Sequence, residues 1–315
     1  MAQLLEQCDL PVAANRSAEA AAAAFSVRVP QSYLRRMVAG DRDDPLLRQV
    51  LPQAAEMEMN EGYSRDPVGD IAASPLPGLI HKYHGRILLL ITASCPIHCR
   101  FCFRRHFPYR DHELSPQQLE SVVNYLRLHP EIHEVIFSGG DPLMASTERL
   151  LTITTALLQL PQLRRLRIHS RLPIVAPERL SEELITGLGA TRLSPVMVVH
   201  CNHPHELTAE VIAKLAQLSA AGWTLFNQSV LLKGVNDCAK TLIILSEALF
   251  AAGVLPYYLH ILDKALGVAH FAVPNQEIDP LLHAMRSTLP GYLMPKVVTE
   301  VAAFPYKQSY YYRDG

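Results

Sequence analysis

Three cysteines, Cys95, Cys99 and Cys102, form a C-x3-C-x2-C run inside ITASCPIHCRFCFRRHF. Thiolates this closely spaced in one loop can reach three corners of an iron–sulfur cube. No fourth cysteine lies nearby, so one of the four irons would keep a position open for an exchangeable ligand. Such an open iron separates a catalytic [4Fe-4S] cluster from an electron-transfer one. Zinc is the competing occupant, with His98 or His106 as a fourth ligand. Tetrahedral zinc prefers two close pairs of ligands, whereas three unequally spaced cysteines after a strand suit a cuboidal core better. Cys8, Cys201 and Cys238 stand alone and read as small buried or surface thiols. One apolar run further on comes Ser138-Gly139-Gly140-Asp141. Glycines there would expose backbone groups to a ligand with no side chain in the way. A Gly-Gly-Asp-Pro turn is common by itself, and it gains weight by following the cysteine loop by one strand.

The elements that must hold these residues are legible from residue 86 onward. Apolar runs at 87–92, 134–138, 165–170, 195–200, 224–229 and 257–262 alternate with amphipathic stretches near 115–128, 147–160, 178–188, 206–221 and 239–252. Ser115-Pro116, and Ser181 ahead of two glutamates, are helix-start signals. Strand alternating with helix predicts an α/β fold with a parallel sheet and right-handed crossovers. Six such units are too few for a closed eight-fold barrel. An open, partial (β/α)6 barrel of the TIM type is expected, with a doubly wound sheet as the alternative. Chemistry in such barrels gathers at the carboxyl ends of the strands. Those ends carry the cysteine loop, Ser138 to Asp141, Arg171, His200, Asn227-Gln228 and Asp263. Residues 1–80 read as a helical and irregular extension broken by Asp66-Pro67 and SPLPG, with no chemistry of their own. Residues 81–290 read as the barrel and 291–315 as a C-terminal segment.

The bulk composition narrows the function. The chain has 315 residues, 49% hydrophobic and 19% charged, enough for a sizeable core. Its 29 basic and 30 acidic residues nearly cancel, leaving no footprint for direct binding of nucleic acid or an anionic membrane. No run approaches the ~20 apolar residues of a membrane span. MAQLLEQCDLP lacks a basic segment followed by an apolar one, so a cytoplasmic protein is expected. In that compartment clustered cysteines bind metal more often than they form disulfides.

HKYHGRILLLITASCPIHCRFCFRRHFP, IFSGGDPLM, RLRIHSRLPIVAP, NHPHE, NQSVLLKGVND and YYLHILD, spread over roughly residues 80–307, together resemble the lysine 2,3-aminomutase family of radical S-adenosylmethionine (SAM) enzymes. The wording of HKYH, RRHFPY and YYLHILDK is most similar to a branch that makes (R)-β-lysine for attachment to elongation factor P. The resemblance implies a cluster on Cys95, Cys99 and Cys102. It implies SAM contacts from Phe101, Ser138, Gly139, Gly140, Asp141, His200 and Gln228. It further implies pyridoxal 5′-phosphate (PLP) carried on a lysine near the C-terminus, where Lys307 matches and Lys296 lies in the preceding strand-like segment. Lys82, Tyr83 and Arg86 match the segment that grips PLP. Arg104 matches the partner of the substrate carboxylate, and Asp263 and Glu300 match the acids that hold the substrate ammonium. Relatives have an aspartate at position 300 and a glycine-rich run where this chain has Ala302-Ala303-Phe304-Pro305-Tyr306. L-lysine is the implied substrate, with elongation factor P, its lysyl ligase and an electron donor such as flavodoxin as implied partners. Longer relatives pair a cysteine at position 238 with later cysteines to bind zinc. No cysteine follows Cys238 here, so no zinc is expected. Two other functions remain open: a PLP-independent radical SAM enzyme acting on a protein or RNA, and a metal-binding or electron-transfer protein without catalysis.

Overall fold

Seven strands lie parallel and side by side, in sequence order, and an antiparallel strand closes each edge of the sheet. In the computed structural model, which describes residues 1–11 and 17–310, β1 is Leu79–Tyr83, β2 Arg86–Thr92, β3 Glu134–Gly139, β4 Arg165–Ser170 and β5 Ser194–Val199. Next come β6 Thr224–Val230, β7 Leu255–His260, β8 Lys296–Thr299 and β9 Gln308–Ser309. Residues 12–16 and the last five of the segment 291–315 lie outside the described residues. The six expected strands are β2 to β7, and β8 adds a seventh parallel member against β7. β1 and β9 do not pair with each other, so the sheet is an open, partial barrel. Strand β3 is buried along its whole length, which is why EVIFSG shows no polar–apolar alternation. A parallel strand covered on both faces needs none.

The helices are α1 Ala2–Gln7, α2 Glu19–Ala24, α3 Gln31–Leu34, α4 Pro45–Arg48, α5 Tyr109–His112, α6 Pro116–Leu128, α7 Thr147–Leu158 and α8 Leu172–Val175. They continue with α9 Glu182–Gly189, α10 Ala209–Ala220, α11 Ala239–Ala251 and α12 Asn275–Thr288. The expected start signals operate. Ser115 accepts from the Gln118 amide with Pro116 in the first turn, and Ser181 accepts from Leu184. Each satisfies an amide that the helix itself leaves bare. Cys238 caps α11 in the same way through Thr241, which gives that exposed thiol a structural task. Among the described residues no helix is long and apolar enough to cross a membrane.

The N-terminal extension is not a separate layer. Leu4, Leu5, Tyr33, Leu46, Leu47 and Val50 share one apolar core with Ile87, Leu89, Phe137 and Ile168 of the sheet. β1 begins at residue 79, so the extension runs directly into the sheet.

Candidate active site

At the carboxyl ends of the parallel strands lies a cavity of about 590 Å³, lined by all three loop cysteines and by Lys307. The residues expected to contact SAM, PLP and substrate line it too, whereas Asn227, His106 and Lys296 do not.

The loop after β2 that carries the cysteines is held from both sides. On the outer side Arg100, wholly buried between Cys99 and Cys102, ion-pairs with Glu56 and donates to the carbonyls of Phe25 (2.6 Å) and Ala21 (3.1 Å). Arg105 reaches the same carboxylate at 2.7 Å. On the inner side the Gly140 amide bonds to Thr92 O at 2.7 Å and the Asp141 amide to Ser94 O at 2.8 Å. A Cβ at Gly140 would sit 2.5 Å from Ser94 O, and one at Gly139, whose φ is +126°, would sit 2.5 Å from Thr92 O. The glycine pair is therefore required first by the close pass of the cysteine loop, rather than by an open approach to a ligand. Asp141 is likewise engaged. Its carboxylate accepts from Ser170 Oγ and the amides of Arg171, Leu172 and Leu143, tying the end of β3 to the end of β4. His98 Nδ1 bonds to Ser26 O and His106 Nε2 to Leu266 O. Among the described residues no three His, Cys, Asp or Glu side chains converge on a point that one metal ion could occupy.

The opposite pole of the site follows from a strand register. β8 and β9 pair antiparallel with Thr299 opposite Gln308; one step further places Glu300 beside Lys307, and the two form an ion pair. Glu300 also takes Lys82 at 2.9 Å. Burial disfavours its charge, but Lys307 and Lys82 overcome that and hold its carboxyl well below the usual range. Lys82 continues to Asp70 (2.5 Å) and to Val68 O (2.7 Å). Three acceptors occupy its three donors, so in this arrangement Lys82 has none left for the phosphate it was expected to grip. Arg86, stacked 4.6 Å over Tyr83, is the freer cation of that segment. Arg104, expected to meet a substrate carboxylate, gives Nε to Asp70 at 2.6 Å and Nη1 to Ser138 Oγ at 3.1 Å, leaving Nη2. Asp70 is thus a buried hub that sequence reasoning missed. Its segment DPVGD has no periodicity, and nothing local marks it. Asp263 differs from the other acids because its Oδ1 is buried with no hydrogen-bond partner. Burial, then repulsion from Glu300, pushes it up to about 7.

Between the poles, Gln228 Nε2 lies 2.7 Å from His200 Nε2. Burial, then the positive charges of Arg171, Arg104 and Lys307, lowers His200 to about 3, so its ring is neutral. Phe101 packs edge-on against Phe271. Lys296 opens β8 and is exposed, away from this chemistry.

Residues 89–243 match the radical SAM superfamily. The chain is 47% identical over 283 residues to the L-lysine 2,3-aminomutase of Escherichia coli K12, covering 90% of this chain and 82% of that one. The chain belongs to the lysine 2,3-aminomutase family. A second relative, the L-lysine 2,3-aminomutase of Haemophilus influenzae, is 44% identical over 98% of this chain and 91% of its own. The fold resembles that of a radical SAM methyltransferase from Sphaerobacter thermophilus, with a TM-score of 0.50 at 16% identity, over 70% of this chain and 68% of the other.

The residues fit the groups that lysine 2,3-aminomutases of the radical SAM class use. The three loop thiols suit a cluster. Burial, with repulsion from Cys102, Asp141 and Cys99, raises the Cys95 thiol in the bare chain, so thiolates here need a cationic core beside them. A primary amine at Lys307 and a half-buried Arg86 suit an aldehyde bearing a phosphate. The orphaned Asp263 oxygen suits a ligand that brings its own donors.

Proposed function

We propose that this chain is a radical SAM, PLP-dependent L-lysine 2,3-aminomutase that converts L-lysine to β-lysine, an isomerase acting in the cytoplasm. The observation that carries this reading is that the three-cysteine loop and Lys307 face one cavity. The similarity of the chain to enzymes named L-lysine 2,3-aminomutase supports it. Destination of the product on elongation factor P, through its lysyl ligase, and reduction by a donor such as flavodoxin complete the proposal.

When bound, the cluster with SAM would supply a radical that removes a substrate hydrogen, and PLP would carry the migrating nitrogen. The chain's own residues do the rest. Glu300, kept ionised by Lys82 and Lys307, holds the Lys307 amine in place as a fixed acceptor. Asp263 offers an unpaired oxygen to the side-chain ammonium of lysine, and Arg104 Nη2 offers a donor to its carboxylate. A shorter amino acid would leave one of these buried groups unpaired, and that selects for length. Neutral His200 adds no charge to repel a cationic substrate.

Anaerobic reconstitution with iron and sulfide, followed by PLP, SAM, reductant and L-lysine, is expected to yield β-lysine. Borohydride is expected to fix PLP on Lys307. Lys307→Ala should lose turnover at least a thousand-fold while keeping the iron–sulfur absorbance. An unlabelled Lys307 in wild type would favour the PLP-independent enzyme acting on a protein or RNA.

A further inference from the structure

Arg171 has no part in the scheme above, yet its guanidinium donates to a cysteine sulfur of the loop, whereas Arg28 reaches only the Cys95 carbonyl. Arg171 follows β4, is 7% exposed, and donates Nη1 to Cys99 Sγ at 2.7 Å. Its guanidinium lies between the rings of Phe101 (5.4 Å) and Tyr33 (5.6 Å). Its second amino nitrogen is held by Gln49 Oε1 at 2.6 Å, Glu206 Oε2 at 3.0 Å and Tyr33 Oη at 3.3 Å. Nε is buried without a partner, and the residue lines the active-site cavity. Glu206 is itself wholly buried, and its other oxygen accepts from the amides of Asn202 and His203. Tyr33 and Gln49 come from the N-terminal extension, so three separate parts of the chain immobilise one guanidinium against one cysteine.

A cationic N–H donor on a ligating sulfur withdraws electron density and favours the reduced, more negative cluster. Burial strengthens the effect because little water screens it. A buried carboxylate one bond further out opposes it. We propose that Arg171 sets the reduction potential of the cluster through Cys99, and that Glu206 is the counterweight that limits how far it is raised. Arg171 is thereby a positioning and tuning residue, not a catalytic one. The inference rests on the reading that Cys95, Cys99 and Cys102 hold a cluster.

The two charges demand shifts of opposite sign, which structural damage does not. Wild type, R171Q, R171K and E206Q are reconstituted anaerobically, their iron content is measured, and the cluster couple is titrated by electron paramagnetic resonance. R171Q should be harder to reduce by about tenfold, which is about 59 mV for one electron. E206Q should be easier to reduce, and R171K, which keeps the charge, should recover most of the R171Q loss. An R171Q potential equal to wild type, or shifts of the same sign in R171Q and E206Q, overturns the proposal. If R171Q retains no iron, E206Q decides alone: an unchanged or lowered potential there is equally fatal. Wild type that assembles no four-iron cluster would instead defeat the underlying reading, and this inference with it.

Discussion

Asp263 and Glu300 are two acids of one site with opposite fates. Glu300 has two ammonium partners and stays ionised, whereas Asp263 has a bare buried oxygen and is pushed up to about 7. An acid whose pKa rises on folding holds its proton more tightly in the folded chain. Its contribution to stability is therefore present below the ordinary carboxylate pKa of about 4 and is lost between there and about 7. D263N removes this titration. Relative to wild type, the cofactor-free D263N protein should gain stability as pH rises through that window, on the order of 2–4 kcal/mol. Urea unfolding of both proteins at pH 5 and pH 8 measures the difference, and a constant difference would mean that Asp263 is already hydrated or paired. Glu300 does not confuse the comparison, because its lowered pKa acts below the same window.

At the scale of elements, the link between β8 and β9 governs the lysine end of the site. Their antiparallel register alone brings Glu300 to Lys307, so any strain in residues 300–307 bears on that pair. Ala303 sits there at φ +63°, the left-handed region that costs a residue with a Cβ roughly 1–2 kcal/mol. The resemblance puts glycines in this run in relatives, and the backbone here still takes a conformation suited to one. Allowing for the greater unfolded-state freedom of glycine, A303G should stabilise the fold by up to about 1 kcal/mol. A thermal midpoint no higher than that of wild type would show that the loop relaxes around the alanine. The cysteine loop is governed from the other end of the chain. Glu56 pairs with both Arg100 and Arg105, and removing one member of such a buried group leaves charges uncompensated.

Across the whole molecule, burial keeps histidines neutral, both in the barrel cavity (His169, His200, His260) and in the loops after β5 and β7 (His203, His270). Burial is the largest cause for His169 and His260, which fall well below their usual value, and for His203 and His270, which fall to about 4. His200 behaves the same way. A histidine depressed on folding takes up a proton only when the chain unfolds. Its stabilisation is complete above the unfolded pKa of about 6.5 and drains away as pH falls toward the folded values. Each such group costs up to about 1.4 kcal/mol per pH unit across that range. The urea midpoint should therefore fall clearly from pH 7 to pH 5, with Asp263 offsetting part of the loss. A midpoint that holds steady would show that water reaches these rings.

The local patterns in this chain determined the parallel strands, the capped helices and the three-cysteine loop, because periodicity, caps and ligand spacing all act within a few residues. Gly139 and Gly140 were visible as a motif, but their reason, the close backbone pass of residues 92–94, was not. The acid hub at Asp70, the Glu56 clamp on Arg100 and the hold of Tyr33, Gln49 and Glu206 on Arg171 were decided only in three dimensions. Apart from the Asp70–Lys82 pair, these contacts join residues 34 to 138 positions apart. A charge reveals itself in sequence only by type, and its role is set by whichever distant partner the packing places beside it.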